Sequence, residues 1–313
     1  MSSSPAAARM PVRGSGALRP EVLLDWYAKA ARDLPWREGR TSAWGVLVSE
    51  VMLQQTPVAR VLPIWQTWMR RWPDPAALSR ATPADAVRAW ARLGYPRRAL
   101  RLHATAQRLV TDFGAAVPSS VKELESLPGI GAYTARAVAA FAFGARTPVV
   151  DTNVARVMAR VISGHARAGP SVVAADRAGM ESLLPAEPAR AASFSVAVME
   201  LGALVCTAAT PACTDCPIRA DCAWQQAGAP DYTGPRRAAQ RFEGTDRQAR
   251  GRLMDVLRSS PGPVLAADLD ATWSDAAQRR RALHSLLSDG LVERLRDGRC
   301  VLAGEAPALE RSG

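Results

Sequence analysis

Four cysteines fall within 17 residues, as Cys206-x6-Cys213-x2-Cys216-x5-Cys222, in a chain of 313 residues whose only other cysteine is Cys300. Such clustering in an otherwise thiol-free chain is not a disulfide framework and points to a metal site in a reducing compartment. Four thiolates this close can converge on one centre, either a [4Fe–4S] cluster or a four-cysteine zinc site. Zinc sites of this class usually carry two CxxC knuckles. Here only Cys213 and Cys216 have that spacing, so iron–sulfur is favoured. Pro211 and Pro217 flank the middle pair and stiffen the loop.

Ahead of the cysteines, from Pro20 to about Leu204, apolar residues recur at helical spacing between Pro and Gly breaks. The periodicity predicts helices near 21–32, 43–56, 58–70, 83–92, 97–113, 120–127, 132–143, 152–163, 171–184 and 189–204. Strand-like alternation is nearly absent, so this part reads as all-α. Beyond the cysteines, a Gly/Pro/Arg-rich stretch reads as a linker. Helical patterns near 247–258 and 275–288 then precede two short β-like runs, Leu291–Arg296 and Arg299–Leu302. Asp297-Gly298 joins those runs, a strong hairpin signal. Helices followed by a hairpin suggest a winged-helix module. The expected plan is a disordered tail over 1–19, a helical core over 20–225, a linker over 226–246, a winged-helix-like α+β domain over 247–304 and a tail over 305–313.

The chain carries 40 Lys+Arg against 29 Asp+Glu, a net charge of +11. Only Lys29 and Lys122 are lysines, so the excess is arginine, the residue suited to phosphate recognition. Nucleic acid is therefore the leading partner class. No uncharged apolar run is long enough to span a membrane, and the N-terminal stretch lacks the apolar segment of a secretion signal. A monomeric cytoplasmic protein is expected.

Two further segments carry chemistry. Leu127-Pro128-Gly129-Ile130-Gly131 lies between two predicted helices. Gly129 and Gly131 there permit a tight turn and let backbone N–H groups approach a phosphate at the next helix. Asp151, in Val149-Val150-Asp151-Thr152-Asn153, precedes a helix, where an aspartate is a favoured N-cap. Glu50 sits among apolar residues in Ser49-Glu50-Val51-Met52-Leu53-Gln54-Gln55-Thr56, where a lone carboxylate is costly. Taken singly, one reads as a cap and the other as a buried ion pair. Taken together, they read as a proton donor and an electrostatic stabiliser, the division of labour that cleavage of a glycosidic bond requires.

These segments in combination resemble the helix-hairpin-helix DNA glycosylases that carry an iron–sulfur cluster. Leu34-Pro35-Trp36-Arg37, the Ser49–Thr56 run, Leu93-Gly94-Tyr95, the Leu127–Gly131 hairpin, Val150-Asp151-Thr152-Asn153 and the four cysteines are similar to MutY-type adenine glycosylases over roughly residues 20–225. The resemblance implies a mainly α, two-lobed core with a cluster loop and a duplex substrate holding adenine opposite 8-oxoguanine or guanine. It implies that Glu50 protonates the adenine ring, that Asp151 stabilises the charge developing on the sugar, and that Asn153 positions this group. Tyr133 stands where lyase-type relatives place a Schiff-base lysine, which implies monofunctional hydrolysis. Gln54, Leu93 and Tyr95 match residues that wedge into the duplex. Trp36, Arg37 and Glu200 match parts of the adenine pocket, and Cys206, Cys213, Cys216 and Cys222 match the ligands of a [4Fe–4S] cluster.

The sequence departs from that pattern in three places. Pro96 stands where relatives carry a second aromatic after Leu-Gly-Tyr, and the cluster loop holds only Arg219 as a basic residue. The 67 residues after position 246 are too few for the β-rich, nucleotide-hydrolase-like domain that senses 8-oxoguanine in many such enzymes. The readings that remain beside an adenine DNA glycosylase of base-excision repair are a mismatch glycosylase acting on thymine or uracil and a non-catalytic iron–sulfur regulator. A regulator has no need of both carboxylates.

Overall fold

The structure is a computed structural model that describes residues 19–37, 39–234 and 242–306. Most of the tail expected over 1–19, part of the linker expected over 226–246 and most of the tail expected over 305–313 lie outside the described residues. In chain order the elements are α1 (Pro20–Ala30), α2 (Ala43–Leu53), α3 (Val58–Arg71), α4 (Pro75–Ser79), α5 (Pro83–Ala89), α6 (Arg97–Phe113), α7 (Val121–Glu125), α8 (Ala132–Phe143), α9 (Thr152–Val161), α10 (Ala174–Leu183), α11 (Pro188–Leu204), a 3-10 turn (Cys213–Asp215), α12 (Ala223–Gln226), α13 (Asp246–Ser259), α14 (Ala266–Asp270), α15 (Ala276–Ser288), β1 (Val292–Arg294) and β2 (Cys300–Leu302). Among the described residues no helix is long and apolar enough to cross a membrane.

Local chemistry sets most boundaries. Ser42, Asp74, Thr82, Asp151, Thr245 and Asp275 each cap a helix start through the side chain, satisfying a backbone N–H that the helix itself leaves open. Gly114 and Gly144 close α6 and α8 in the left-handed conformation. Three short helices, α4, α12 and α14, carry too few residues to show periodicity in the sequence.

The chain divides into two compact units. One holds 19–32 together with Arg146–Gly234, and the other holds Asp33–Ala145 together with 242–306. In the first, α1, α9 and α11 pack around Leu23, Val154, Met158, Phe194 and Leu201. Arg32, just past α1, grips Glu200 of α11 with its Nε at 2.8 Å, its Nη2 at 2.7 Å and its backbone N–H at 2.9 Å.

In the second unit, α2 is buried at every position from Trp44 to Met52, as a helix apolar on all faces must be. Tryptophans fill the surrounding core. The indole N–H of Trp44, Trp65, Trp68 and Trp90 donates to the carbonyls of Trp72, Gly45, Ala89 and Gly94, so the rings are buried without stranding a donor.

The C-terminal residues form three helices, α13, α14 and α15, followed by a two-stranded hairpin. Val292 pairs with Leu302 and Arg294 with Cys300, and Val264 adds an antiparallel bridge to Cys300. Cys300, the lone fifth cysteine, is buried in β2, and that burial pushes its thiol up in pKa. Leu253, Leu257 and Leu286 belong to the same apolar core as Trp68 and Trp90. Arg88 of α5 donates to the carbonyls of Arg258 and Ser260 and pairs with Glu305. Arg92 pairs with Asp255 at 2.9 Å and Arg97 with Asp289 at 3.1 Å. The module is thus built onto α5 and α6 by a continuous core and a row of arginines.

Candidate active site

Glu50 lies one turn from the end of α2 and is 6% exposed. The end of that helix is held by Arg98 of α6, whose side chain is buried. Its Nη1 donates to the carbonyls of Val51 (2.9 Å), Met52 (3.0 Å) and Gln54 (2.6 Å), and its Nη2 to Thr56 Oγ1 (3.0 Å) and the Gly94 carbonyl (3.1 Å). The guanidinium stacks on Trp90, 5.1 Å from the ring centroid. One side chain therefore completes the carbonyls that a helix C-terminus leaves open and fastens two loops, 54–56 and 93–95. Burial lowers the Arg98 pKa to about 10, which leaves it a cation at neutral pH.

Both loops carry strain. Gln55 has φ 56° and Tyr95 φ 47°, a region that non-glycine residues visit at a cost. Tyr95 is 51% exposed and Gln54 is half-buried, its amide donating to Thr134 Oγ1 of α8 at 3.2 Å. Leu93, expected to wedge with them, packs into the core at 4% exposure, and its carbonyl accepts from Thr56 Oγ1.

The segment 127–131 turns tightly between α7 and α8. Gly129 has φ +78°, and a Cβ there would sit 2.8 Å from Arg101 Cβ and Cδ, so both conformation and space exclude a side chain. Thr105 Oγ1 ties the Pro128 carbonyl to α6 at 2.7 Å. Gly131, exposed, is the N-cap of α8 and supplies no capping side chain, which leaves the first N–H groups of that helix open to an anion. Tyr133 is half-buried in the first turn of α8.

Asp151 belongs to the other unit. Its Oδ1 accepts from the Val154 N–H at 2.7 Å and its Oδ2 from Asn153 Nδ2 at 2.9 Å. The N-cap geometry is present, and yet burial raises the pKa of the carboxyl, outweighing these hydrogen bonds and the pull of Arg156. A group used only as a cap gains nothing from a setting that resists its charge. Arg156 extends the constellation, with Nη2 donating to Asn153 Oδ1 (2.8 Å) and the Gly202 carbonyl (2.6 Å), and Nε to the Cys206 carbonyl (2.8 Å). A side chain at Gly202 would meet Asn153 Cβ at 2.8 Å, so the close approach of α11 to α9 depends on that glycine. Sequence reasoning missed Arg98 and Arg156. The only signal was their place among many arginines.

Cys206, Cys213, Cys216 and Cys222 line one small cavity with Arg160, Arg219 and Trp224. Arg160 donates to Cys206 Sγ at 3.3 Å and to the Thr207 carbonyl at 2.7 Å, and lies over the Trp224 ring. Burial, together with the neighbouring cysteines, pushes the Cys216 thiol up to about 11. Among the described residues no three Cys, His, Asp or Glu side chains are grouped to hold a single metal ion. Trp36 is buried edge-on against Trp65, with centroids 5.4 Å apart, and Arg37 is half-buried in the same unit. Glu200, expected with them, lies in the other unit, fully buried and clasped by Arg32.

Residues 48–180 match the HhH-GPD superfamily of base excision DNA repair proteins. The chain is 56% identical over 295 residues to the adenine DNA glycosylase of Mycobacterium tuberculosis, spanning 94% of this chain and 96% of that protein. It is 42% identical over 212 residues to the human adenine DNA glycosylase, spanning 65% of this chain and 39% of the human protein. Among solved structures, a thermostable thymine-DNA glycosylase superposes with a TM-score of 0.60 at 25% identity, over 66% of this chain and 95% of that one. Endonuclease III trapped on DNA superposes with a TM-score of 0.58 at 20% identity, over 67% and 95%, a likeness of fold.

Two measurements test these assignments without assuming an activity. Arg98→Lys keeps the charge but lacks the fork that reaches five acceptors, and chemical denaturation is expected to show a loss of about 2–3 kcal/mol. Because the folded-state pKa of Asp151 is raised, its ionisation penalises the fold above that pKa and costs nothing below the ordinary carboxylate value. The stability of Asp151→Asn relative to the native chain is therefore expected to rise as pH increases from about 4 to about 7. A difference that stays flat with pH would show that the carboxyl titrates normally.

Proposed function

The chain belongs to the adenine DNA glycosylases of the HhH-GPD base excision repair superfamily, and from that premise we propose that it hydrolyses the N-glycosidic bond of adenine mispaired with 8-oxoguanine or guanine. Glu50 gives a proton to a ring nitrogen of adenine as the bond from the sugar carbon to the base breaks. At 6% exposure that proton passes to a bound group rather than to bulk water. Asp151 faces the cation developing on the sugar, and water adds its oxygen to that carbon while the proton it gives up restores Glu50 to its acid form, leaving an abasic site. The observation that carries this reading is Asp151, held by two donors in a setting that resists its negative charge. An opposing positive charge in the transition state relieves that cost, so the stabilisation grows where the barrier lies.

Gln54 and Tyr95 fill the stack when the adenine leaves it, their loops held by Arg98. Gly129, Gly131 and the open N-terminus of α8 bind backbone phosphate, which positions the duplex without reading sequence. Trp36 and Arg37 are assigned to the adenine pocket, and Glu200, expected with them, is clasped by Arg32 within its own unit. Tyr133 occupies the place of an imine-forming lysine, and the chain's two lysines lie elsewhere, at 29 and 122. That supports base removal without strand scission.

The four cysteines fit a [4Fe–4S] cluster. A single zinc draws its sulfurs to within about 3.8 Å of one another, given bonds of about 2.3 Å, whereas a cluster gives each thiolate its own iron and holds them farther apart. The four cysteines line one cavity, and the single CxxC pair among them favours the cluster over zinc. When bound, the cluster braces the loop whose Cys206 carbonyl receives Arg156.

Duplexes holding adenine opposite 8-oxoguanine, adenine opposite guanine, and thymine opposite guanine test the substrate assignment. Strand breaks that need alkali are expected at adenine, and Glu50→Gln or Asp151→Asn is expected to slow the single-turnover rate by about 100-fold or more while binding survives. Cleavage at thymine alone would overturn the assignment. For the cluster, iron and sulfide at about four each per chain are expected, and stoichiometric zinc without iron would refute it.

A further inference from the structure

None of the groups placed at the glycosidic bond comes from residues 242–306, yet that module is fixed to α5 and α6 by a shared core and by Arg88, Arg92 and Arg97. It holds ten arginines and ten carboxylates, so it has no net charge to offer. The charges are, however, sorted. Arg250, Arg258, Arg279, Arg281 and Arg299 are each tied to an aspartate. Among the described residues five exposed arginines of this module, Arg247, Arg252, Arg280, Arg294 and Arg296, have no carboxylate partner, and three of them, Arg280, Arg294 and Arg296, fall on α15 and the hairpin.

Their positions are specific. Ala277, Arg280, Arg281, His284 and Ser288 recur at helical spacing and are all exposed, opposite the buried Ala282 and Leu286. The exposed stripe has no large apolar side chain, which disfavours a hydrophobic partner, and it is basic. The hairpin that follows directly packs its first strand against α15. Its turn is ordered by Asp297, which accepts from the Arg299 N–H at 3.0 Å and Nε at 2.6 Å, and Arg296 stands beside that turn. A helix with a bare cationic face, followed by an ordered hairpin with another bare cation, is the arrangement with which helix-turn-helix modules meet a duplex.

We propose that the exposed face of α15 and the β1–β2 hairpin form a second DNA-binding surface, which grips the phosphate backbone of the duplex away from the excised base. It rests on the reading that this chain acts on DNA. Its rigid attachment to α5 and α6 means that such contacts fix the register of the duplex on the unit that carries Glu50.

The test uses the full chain and a matched, undamaged duplex of about 30 base pairs. Affinity is measured across salt concentrations for Arg280→Gln/Arg296→Gln. A second variant, Arg108→Gln/Arg190→Gln, loses the same charge from arginines in exposed ion pairs. Losing two phosphate contacts is expected to reduce the salt slope by about 2 and to weaken binding about tenfold at 0.1 M salt. The single-turnover excision rate at saturating enzyme should stay unchanged, and thermal melting checks the fold. A slope that falls no more than in the second variant would overturn the surface. If the native chain excises nothing and the slope still falls in Arg280→Gln/Arg296→Gln, the surface stands and the glycosylase reading falls.

Discussion

Arg98 is the contact on which the helix carrying Glu50 depends. The end of α2 points its open carbonyls into the core, where water cannot reach them, and a buried unpaired carbonyl costs about 1–3 kcal/mol. One guanidinium satisfies the carbonyls of Val51, Met52 and Gln54 and reaches Thr56 and Gly94 as well. The two strained residues, Gln55 and Tyr95, lie in the segments so fastened. Strain of this kind persists only where surroundings over-determine it, and a five-pronged buried donor is such a surrounding. The geometry of Glu50, the loop that carries Gln54 and the exposure of Tyr95 thus follow from one buried guanidinium.

Asp151 presents the opposite economy. An N-cap aspartate normally contributes to stability in its charged form, but this one is buried deeply enough for desolvation to outweigh its donors. The carboxyl is fixed from both sides, through the Val154 N–H and through Asn153, which Arg156 holds in turn. Arg156 also reaches the Cys206 carbonyl. Displacement of the cysteine loop would therefore be felt at Asn153, and through it at the carboxyl oxygen that is not engaged in capping.

Much of this was legible in the sequence, for identifiable reasons. The long helices were visible because their apolar periods run over three or more turns, and the C-terminal hairpin because Asp297-Gly298 permits few other conformations. The helices α4 and α14 escaped, although Asp74-Pro75 is itself a start signal. Glu50 and Asp151 stood out as residue types in awkward company. A leucine in a loop motif looks the same in sequence whether it points in or out, so the burial of Leu93 was not legible there. Arg98 and Arg156 were invisible, since nothing local separates a buried arginine from an exposed one.

That last failure bears on what the basic composition means. Read from sequence, the arginine excess looks like a surface for phosphate. In the fold, Arg88, Arg98, Arg156 and Arg160 are spent largely on backbone carbonyls, a task for which a planar fork with five donors is suited and a lysine ammonium is not. Near absence of lysine therefore reflects an internal requirement as much as an external one. Cations that remain bare after this internal use are the informative ones for DNA. In residues 242–306, where the formal charge cancels, Arg280, Arg294 and Arg296 stay unpaired on α15 and the hairpin while five other arginines are matched to aspartates, so contact with a polyanion depends on how charge is arranged as well as on how much of it there is.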